Sequence, residues 1–194
     1  MLKSVIISGP PAIGKTTIAK GLAKEFGLKH LSGGDVLKEM AKEEGFRTER
    51  DDFWDTKAGM NFLNMRKGNP EFDKEVDEKL KNICLNEDVV ITSYTLPWLI
   101  KDGIKIWLAG SKENSAKRMT TRDGILVEDA LNIVKTRYEE NKMLYKKLYG
   151  FNFGDDLSVF DEIINTDGLG PDKVLELAKK AVKNYYESQT TRQS

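Results

Sequence analysis

Short runs of consecutive apolar residues alternate along this chain with longer stretches whose apolar positions recur every three or four residues. The runs at 5–8, 29–31, 89–92, 104–108 and 162–165 predict strands. The stretches at 15–26, 35–44, 71–86, 111–122, 128–149 and 171–186 predict helices. Strands without polar alternation suit a sheet covered on both faces. Regular strand–helix alternation therefore predicts an α/β chain, with a five-stranded parallel sheet between two helical layers. Helix starts are marked by Gly33-Gly34-Asp35, by Asn69-Pro70-Glu71 and by Gly170-Pro171-Asp172. The polar tail after Tyr186 is expected to fray.

In such sheets ligands gather at the carboxyl ends of the strands, so the residues just after each strand carry the candidate chemistry. After the first run stand Gly9-Pro10-Pro11-Ala12-Ile13-Gly14-Lys15-Thr16, followed by Thr17. This is G-x-x-x-x-G-K-T between a predicted strand and a predicted helix, a P-loop in its proper setting. Gly9 and Gly14 let the backbone approach an anion that a Cβ would block. The loop amides and the helix N-terminus aim positive charge at phosphates. Lys15 reaches the β- and γ-phosphates, and the Thr16 hydroxyl is the candidate Mg²⁺ ligand. ATP and Mg²⁺ are therefore the expected cofactors, and the fold class sharpens to a P-loop NTPase three-layer α/β/α sandwich.

Bulk properties narrow the class. With 194 residues the chain is expected to form a single domain, 1–194. Its 31 basic and 31 acidic residues cancel, which argues against broad nucleic-acid binding. No apolar run approaches a membrane span, and the early first strand leaves no room for a signal peptide. Cys84 and His30 are each the only residue of their type, so no internal disulfide and no usual zinc site is expected. A cytoplasmic monomer or homodimer is the expectation. An N-K-x-D base-reading motif is absent, and the chain is too short for a large ATPase machine. A small phosphotransferase remains, needing an acceptor pocket and a cationic lid, because phosphoryl transfer is almost wholly positioning and electrostatics.

Both parts have candidates. Ser32-Gly33-Gly34-Asp35 offers hydroxyl, amides and carboxylate to an acceptor, or simply a helix N-cap. Arg118 and Arg122, four apart and therefore on one helix face, together with Lys117, offer a lid or a solvated basic face. Arg137, on the next helix, closes over the same phosphates or belongs to a surface charge pattern with Glu139, Lys142 and Lys146. Trp98 and Trp107 are expected in the core. Tyr94 and Trp54 are candidates to stack on an acceptor ring, Trp54 lying with Phe53 and Phe62 in a weakly periodic polar stretch from Arg47 to Asn69.

The chain resembles the nucleoside monophosphate kinases, and among them the archaeal-type cytidylate kinases. The resemblance is carried by 7–11 and 14–17, by Leu31-Ser32-Gly33-Gly34-Asp35-Val36, and by Pro70-Glu71-Phe72-Asp73-Lys74-Glu75-Val76-Asp77. It continues through Lys105-Ile106-Trp107-Leu108, Tyr145-Lys146-Lys147-Leu148-Tyr149-Gly150 and Ile163-Ile164-Asn165-Thr166. It implies a helical acceptor-binding insertion at about 32–86 and a short lid at about 115–150. It also implies ATP and Mg²⁺ as donor, with a pyrimidine monophosphate as acceptor. Lys15, Arg118, Arg122 and Arg137 become the expected catalytic cations, and Ser32, Asp35, Lys38, Asp73 and Tyr94 the expected acceptor contacts.

Three departures stand on the acceptor side. The family's third strand usually ends in an acid, Gly and a phosphate-gripping Arg, where this chain has Thr92-Ser93-Tyr94. Lys38 stands for an Arg, and Lys142 and Leu144 occupy two further arginine places. Lysine is a point charge, whereas arginine presents a planar fork. The losses of the fork at Tyr94 and at Lys38 are each expected to weaken a phosphate monoester by about one to two decades. With Thr92 at the strand end, Mg²⁺ lacks an evident carboxylate, leaving Asp35 as a candidate through water. Two alternatives stay open: a kinase of the same fold with a non-nucleotide acceptor, and an adenylate-kinase-like ATP-binding assembly factor with slow hydrolysis.

Overall fold

The computed structural model describes residues 4–46, 48 and 71–191. Phe53, Trp54 and Phe62, and the start of the predicted helix at Pro70, lie outside the described residues. Strands β1 (Val5–Ser8), β2 (Lys29–Ser32), β3 (Val89–Thr92), β4 (Ile104–Ala109) and β5 (Glu162–Asn165) form one parallel sheet in the order β2-β3-β1-β4-β5. Its helices are α1 (Lys15–Phe26), α2 (Gly33–Glu43), α3 (Glu71–Asn86), the short α4 (Leu96–Leu99), α5 (Lys112–Asp123), α6 (Val127–Tyr149) and α7 (Pro171–Thr191).

Alternation along β1 sorts the layers. Val5 and Ile7 face one cluster with α1 and α7, through Ile18, Leu22, Val174, Ala178 and Val182. Ile6 faces the opposite cluster with α2 and α3, through Val36, Met40, Val76 and Leu80. The same alternation sends Ile106 to the first cluster, while Trp107 enters an aromatic cluster with Tyr145 and Phe153. Both faces of the sheet are covered, as a parallel sheet requires, and the predicted three-layer sandwich is present. Trp107 is core, as expected, and Cys84 is a buried free thiol.

Three boundaries depart from the pattern reading. α2 begins at Gly33, because Ser32 caps it reciprocally with Asp35. The segment after β3 forms α4, which has Pro97 in its first turn and is too short to show helical periodicity. α7 extends past Tyr186 to Thr191, with the hydroxyls of Ser188, Thr190 and Thr191 donating back to the carbonyls of Tyr185, Tyr186 and Glu187. No helix among the described residues is long and apolar enough to cross a membrane.

Candidate active site

The P-loop leaves the carboxyl end of β1, the central strand. Its backbone takes conformations that glycine tolerates: Gly9 has φ 147° and Gly14 φ 101°, with Ala12 also positive at 58°. A Cβ on Gly9 would run into the carbonyl oxygen of Leu108, so the loop passes flush against β4. Ile13 is fully buried and plugs the loop into the α1/α7 core. Gly14 is the N-cap of α1, whose first amides therefore face out of the loop. Thr16 and Thr17 are exposed in that first turn.

Lys15 folds back over the loop. Its Nζ donates to the carbonyls of Gly9 (2.9 Å) and Pro10 (2.7 Å) and lies 4.5 Å from the centroid of the Tyr94 ring. Burial pushes the Lys15 ammonium below its ordinary value, a tendency opposed by Tyr94 and reinforced by the Arg137 charge. Burial alone would raise the Tyr94 phenol, but the neighbouring Lys15 and Arg137 charges outweigh it and the net shift is downward.

Beside this lysine opens a cavity of about 410 Å³. Its walls come from four places: Ser32, Gly33 and Gly34 at the start of α2, Asp73, Val76 and Asp77 on α3, Thr92 to Thr95 after β3, and Arg137, Glu140, Asn141 and Tyr145 on α6. The volume falls within the roughly 300–1,000 Å³ of small-molecule sites. Asp73 and Asp77 are 9% and 7% exposed, an unusual degree of burial for carboxylates, so this wall is acidic and desolvated. Asp77 accepts from the Thr95 hydroxyl at 2.5 Å and from the Tyr149 hydroxyl at 2.6 Å.

The expected site residues divide. Lys15, Ser32, Asp73, Tyr94 and Arg137 line the one cavity. Asp35 and Lys38 do not. The Asp35 carboxylate accepts from the amide and hydroxyl of Ser32 at 2.8 and 2.6 Å, which is the helix-capping role. Arg118 lies behind the P-loop, its Nη1 donating to the Ile13 carbonyl at 2.9 Å and its Nη2 reaching the Thr166 carbonyl at 3.4 Å. Arg122 is exposed and forks onto Asp123 through Nε (2.5 Å) and Nη2 (2.7 Å), away from the cavity lining. Lys142 pairs with Asp155 at 2.9 Å, in the segment after α6, and Leu144 packs on the aromatic cluster.

Pattern reading missed Asp77, Thr95, Asn141 and Tyr149. Asp77 reads as one acid among many on a charged helix, and its burial and its contacts with Thr95 and Tyr149 come from elements distant in sequence. Behind the cavity the aromatic cluster continues from Tyr94 through Phe153, which is fully buried, to Trp98 stacked on Phe151 at 4.5 Å.

A metal partner can be judged from the donor set. Among the described residues no group of three or more His, Cys, Asp or Glu side chains converges. The described residues therefore build no cage of protein ligands, but Mg²⁺ in phosphoryl-transfer sites is ordinarily held by few protein groups, substrate phosphates and water. The exposed Thr16 hydroxyl at the head of α1 fits that sparse role.

Known proteins of similar sequence identify the family. The sequence profile described as the Cytidylate kinase-like family matches residues 4–168. The cytidylate kinase of Pyrococcus abyssi is 33% identical over 184 residues, covering 94% of this chain and 95% of that protein. The cytidylate kinase of Sulfurisphaera tokodaii is 36% identical over 176 residues, covering 89% and 91%. Among solved structures, a gluconokinase from Sinorhizobium meliloti superposes with a TM-score of 0.60 at 14% identity, covering 99% of this chain and 98% of that one, a likeness of fold.

Proposed function

The chain belongs to the cytidylate kinase-like family, and from that premise we propose that it transfers the γ-phosphoryl group of ATP to a pyrimidine nucleoside monophosphate, CMP or dCMP, giving the diphosphate. The observation that carries the reading is the shared cavity. The P-loop lysine faces a second compartment of substrate size, walled by residues from β2, α3, β3 and α6. A protein that only hydrolysed ATP would need no such compartment.

In this reading the P-loop, Gly9 to Thr17, cradles the donor phosphates. Lys15 exchanges its carbonyl partners for phosphate oxygens, and its burial strengthens that attraction once phosphate replaces water. Arg137 stands across the cavity from the donor loop and neutralises charge building on the transferring group. Thr16 would hold Mg²⁺, which would supply charge neutralisation to the donor phosphates. Arg118 acts on the donor side by fixing the P-loop backbone, and Arg122 joins by lid movement. The acceptor sits between Ser32, Asp73 and Tyr94, the phenol and Arg137 replacing the family's missing arginine. A carboxylate-lined wall favours a base that presents an amino donor, as cytosine does, over one presenting only a carbonyl there. The segment 32–86 serves as acceptor side and 115–150 as lid, within one kinase domain.

The test is ADP release from ATP·Mg²⁺ against CMP, dCMP, UMP, AMP, GMP, dTMP and no acceptor, with Lys15→Ala as blank. Turnover with CMP or dCMP in the usual kinase range, above about 1 s⁻¹, supports the reading. Slow ADP release indifferent to every nucleotide overturns it in favour of a non-nucleotide acceptor or an ATP-driven assembly role.

A further inference from the structure

On α6 the residues Arg137, Asn141, Tyr145 and Tyr149 are spaced four apart. Side chains at that spacing form one inclined ridge on a helix. The first three line the cavity, and the fourth ends the ridge one turn below it. There the Tyr149 hydroxyl donates to Asp77 on α3 at 2.6 Å, and the same carboxylate accepts from Thr95 after β3 at 2.5 Å. The Tyr149 ring is stacked on Phe151 (6.1 Å between centroids, 5° between planes), which is itself stacked on Trp98 of α4. One carboxylate thus ties together the acceptor-side helix, the loop after β3 and the far end of the lid-side helix.

We propose that the Tyr149–Asp77 hydrogen bond is a positioning contact that sets the roll of α6 and so holds Arg137, three turns away, over the reacting phosphates. The inference rests on the proposed role of Arg137 in facing the transferring group. A helix is stiff over twelve residues, about 18 Å. Releasing its anchored end therefore turns the whole ridge rather than one side chain. Because 1 Å of misplacement at a reacting centre is worth up to about a hundredfold in rate, a small roll suffices. Tyr149 touches no substrate in this arrangement and acts only through the helix that carries Arg137.

The test is a double-mutant cycle of Tyr149→Phe and Arg137→Ala, read by steady-state kinetics with ATP·Mg²⁺ and CMP. Tyr149→Phe should lower kcat about tenfold with the KM for ATP within about twofold. In the Arg137→Ala background the same substitution should change kcat by less than about twofold, because the group it positions is gone. Equal effects in both backgrounds overturn the proposal. Should the wild-type protein fail to phosphorylate any nucleotide, the functional reading falls but this inference is still decided by NMR of the Arg137 side-chain Nε–H without substrate. Tyr149→Phe should move that resonance, because the ridge that carries Arg137 turns. An Arg137 resonance unmoved by Tyr149→Phe overturns the inference independently of activity. If Tyr149→Phe does not fold, Asp77→Asn is read through the same two measurements.

Discussion

Arg118 and Ile13 are joined across 105 residues of sequence by a hydrogen bond from the guanidinium Nη1 to the Ile13 carbonyl, 2.9 Å long. The side chain of Ile13 is buried in the core beneath the loop, so the P-loop is held from both sides, by packing below and by a cation on its backbone above. A Cβ at Gly14 would lie 2.7 Å from the same guanidinium, which shows how closely the arginine is laid on the turn.

Arg118→Lys keeps the charge but loses the planar fork that also reaches Thr166. A charged hydrogen bond is worth about 1.5–3 kcal/mol, so ATP affinity should fall by about ten- to a hundredfold while kcat at saturating ATP changes less. Equilibrium titration with a non-hydrolysable ATP analogue checks this. Unaltered affinity would remove the buttress role.

Arg137 and Arg122, both proposed as lid cations, should behave differently. Arg137 lines the cavity that Lys15 enters, whereas Arg122 is solvent-exposed and paired with Asp123. Arg137→Ala should cost kcat about a thousandfold, the lower end of what a transition-state arginine supplies. Arg122→Ala should cost less than about tenfold and leave the melting temperature in place, since exposed ion pairs contribute about 0–1 kcal/mol. Single-turnover transfer to CMP measures both, and a larger loss at Arg122 would invert the assignment.

The pH dependence is set by Lys15. Its ammonium must be charged to hold phosphates, and burial sets its affinity for the proton below that of a free lysine. The free enzyme should therefore lose kcat/KM for ATP as pH rises through a midpoint below the ordinary lysine value of about 10.4. Bound phosphates favour the charged amine, so the corresponding limb of kcat should lie at higher pH. Tyr94 raises the lysine's proton affinity. Tyr94→Phe should accordingly shift the kcat/KM limb further down. A limb that stays fixed, or moves up, contradicts the contact.

Phe153 is fully buried among Trp107, Tyr145, Tyr94 and Trp98. Phe153→Ala should destabilise the fold by about 3–5 kcal/mol, seen in urea unfolding, and raise the KM for the acceptor more than that for ATP. The reason is that the lost ring supports Tyr94 and Tyr145 on the wall of the cavity.

Much of this architecture was legible in the chain. Apolar runs mark β1, β3 and β4 because both faces of those strands are covered, and G-x-x-x-x-G-K-T dictates the turn between β1 and α1. Local signals were weaker where a residue's role depends on distant partners. Ser32 and Asp35 carry the same letters whether they cap a helix or bind a substrate, and the structure places them in reciprocal hydrogen bonds. Asp77 and Tyr149, 72 residues apart, meet only because the end of α6 comes against α3. Phe151 and Phe153 sit in a segment without periodicity, so nothing in their spacing announces that they fill the space behind the cavity. Lys142 and Leu144 look like eroded phosphate contacts until Asp155 and the aromatic cluster are seen to claim them.

The strand order also grades the molecule by resistance to opening. β1 is paired on both sides and its Val5, Ile6 and Ile7 are wholly excluded from solvent, whereas β2 is an edge strand with partly open residues. The donor loop therefore hangs from the part of the molecule that should open last, and Ser32 from one of the parts that should open first. Backbone amides of β1 should outlast those of β2 in deuterium exchange. On gentle warming the protein would then lose discrimination among acceptors while it still holds ATP, so heat would turn a transferase into an idle nucleotide carrier before it turned it into an unfolded chain.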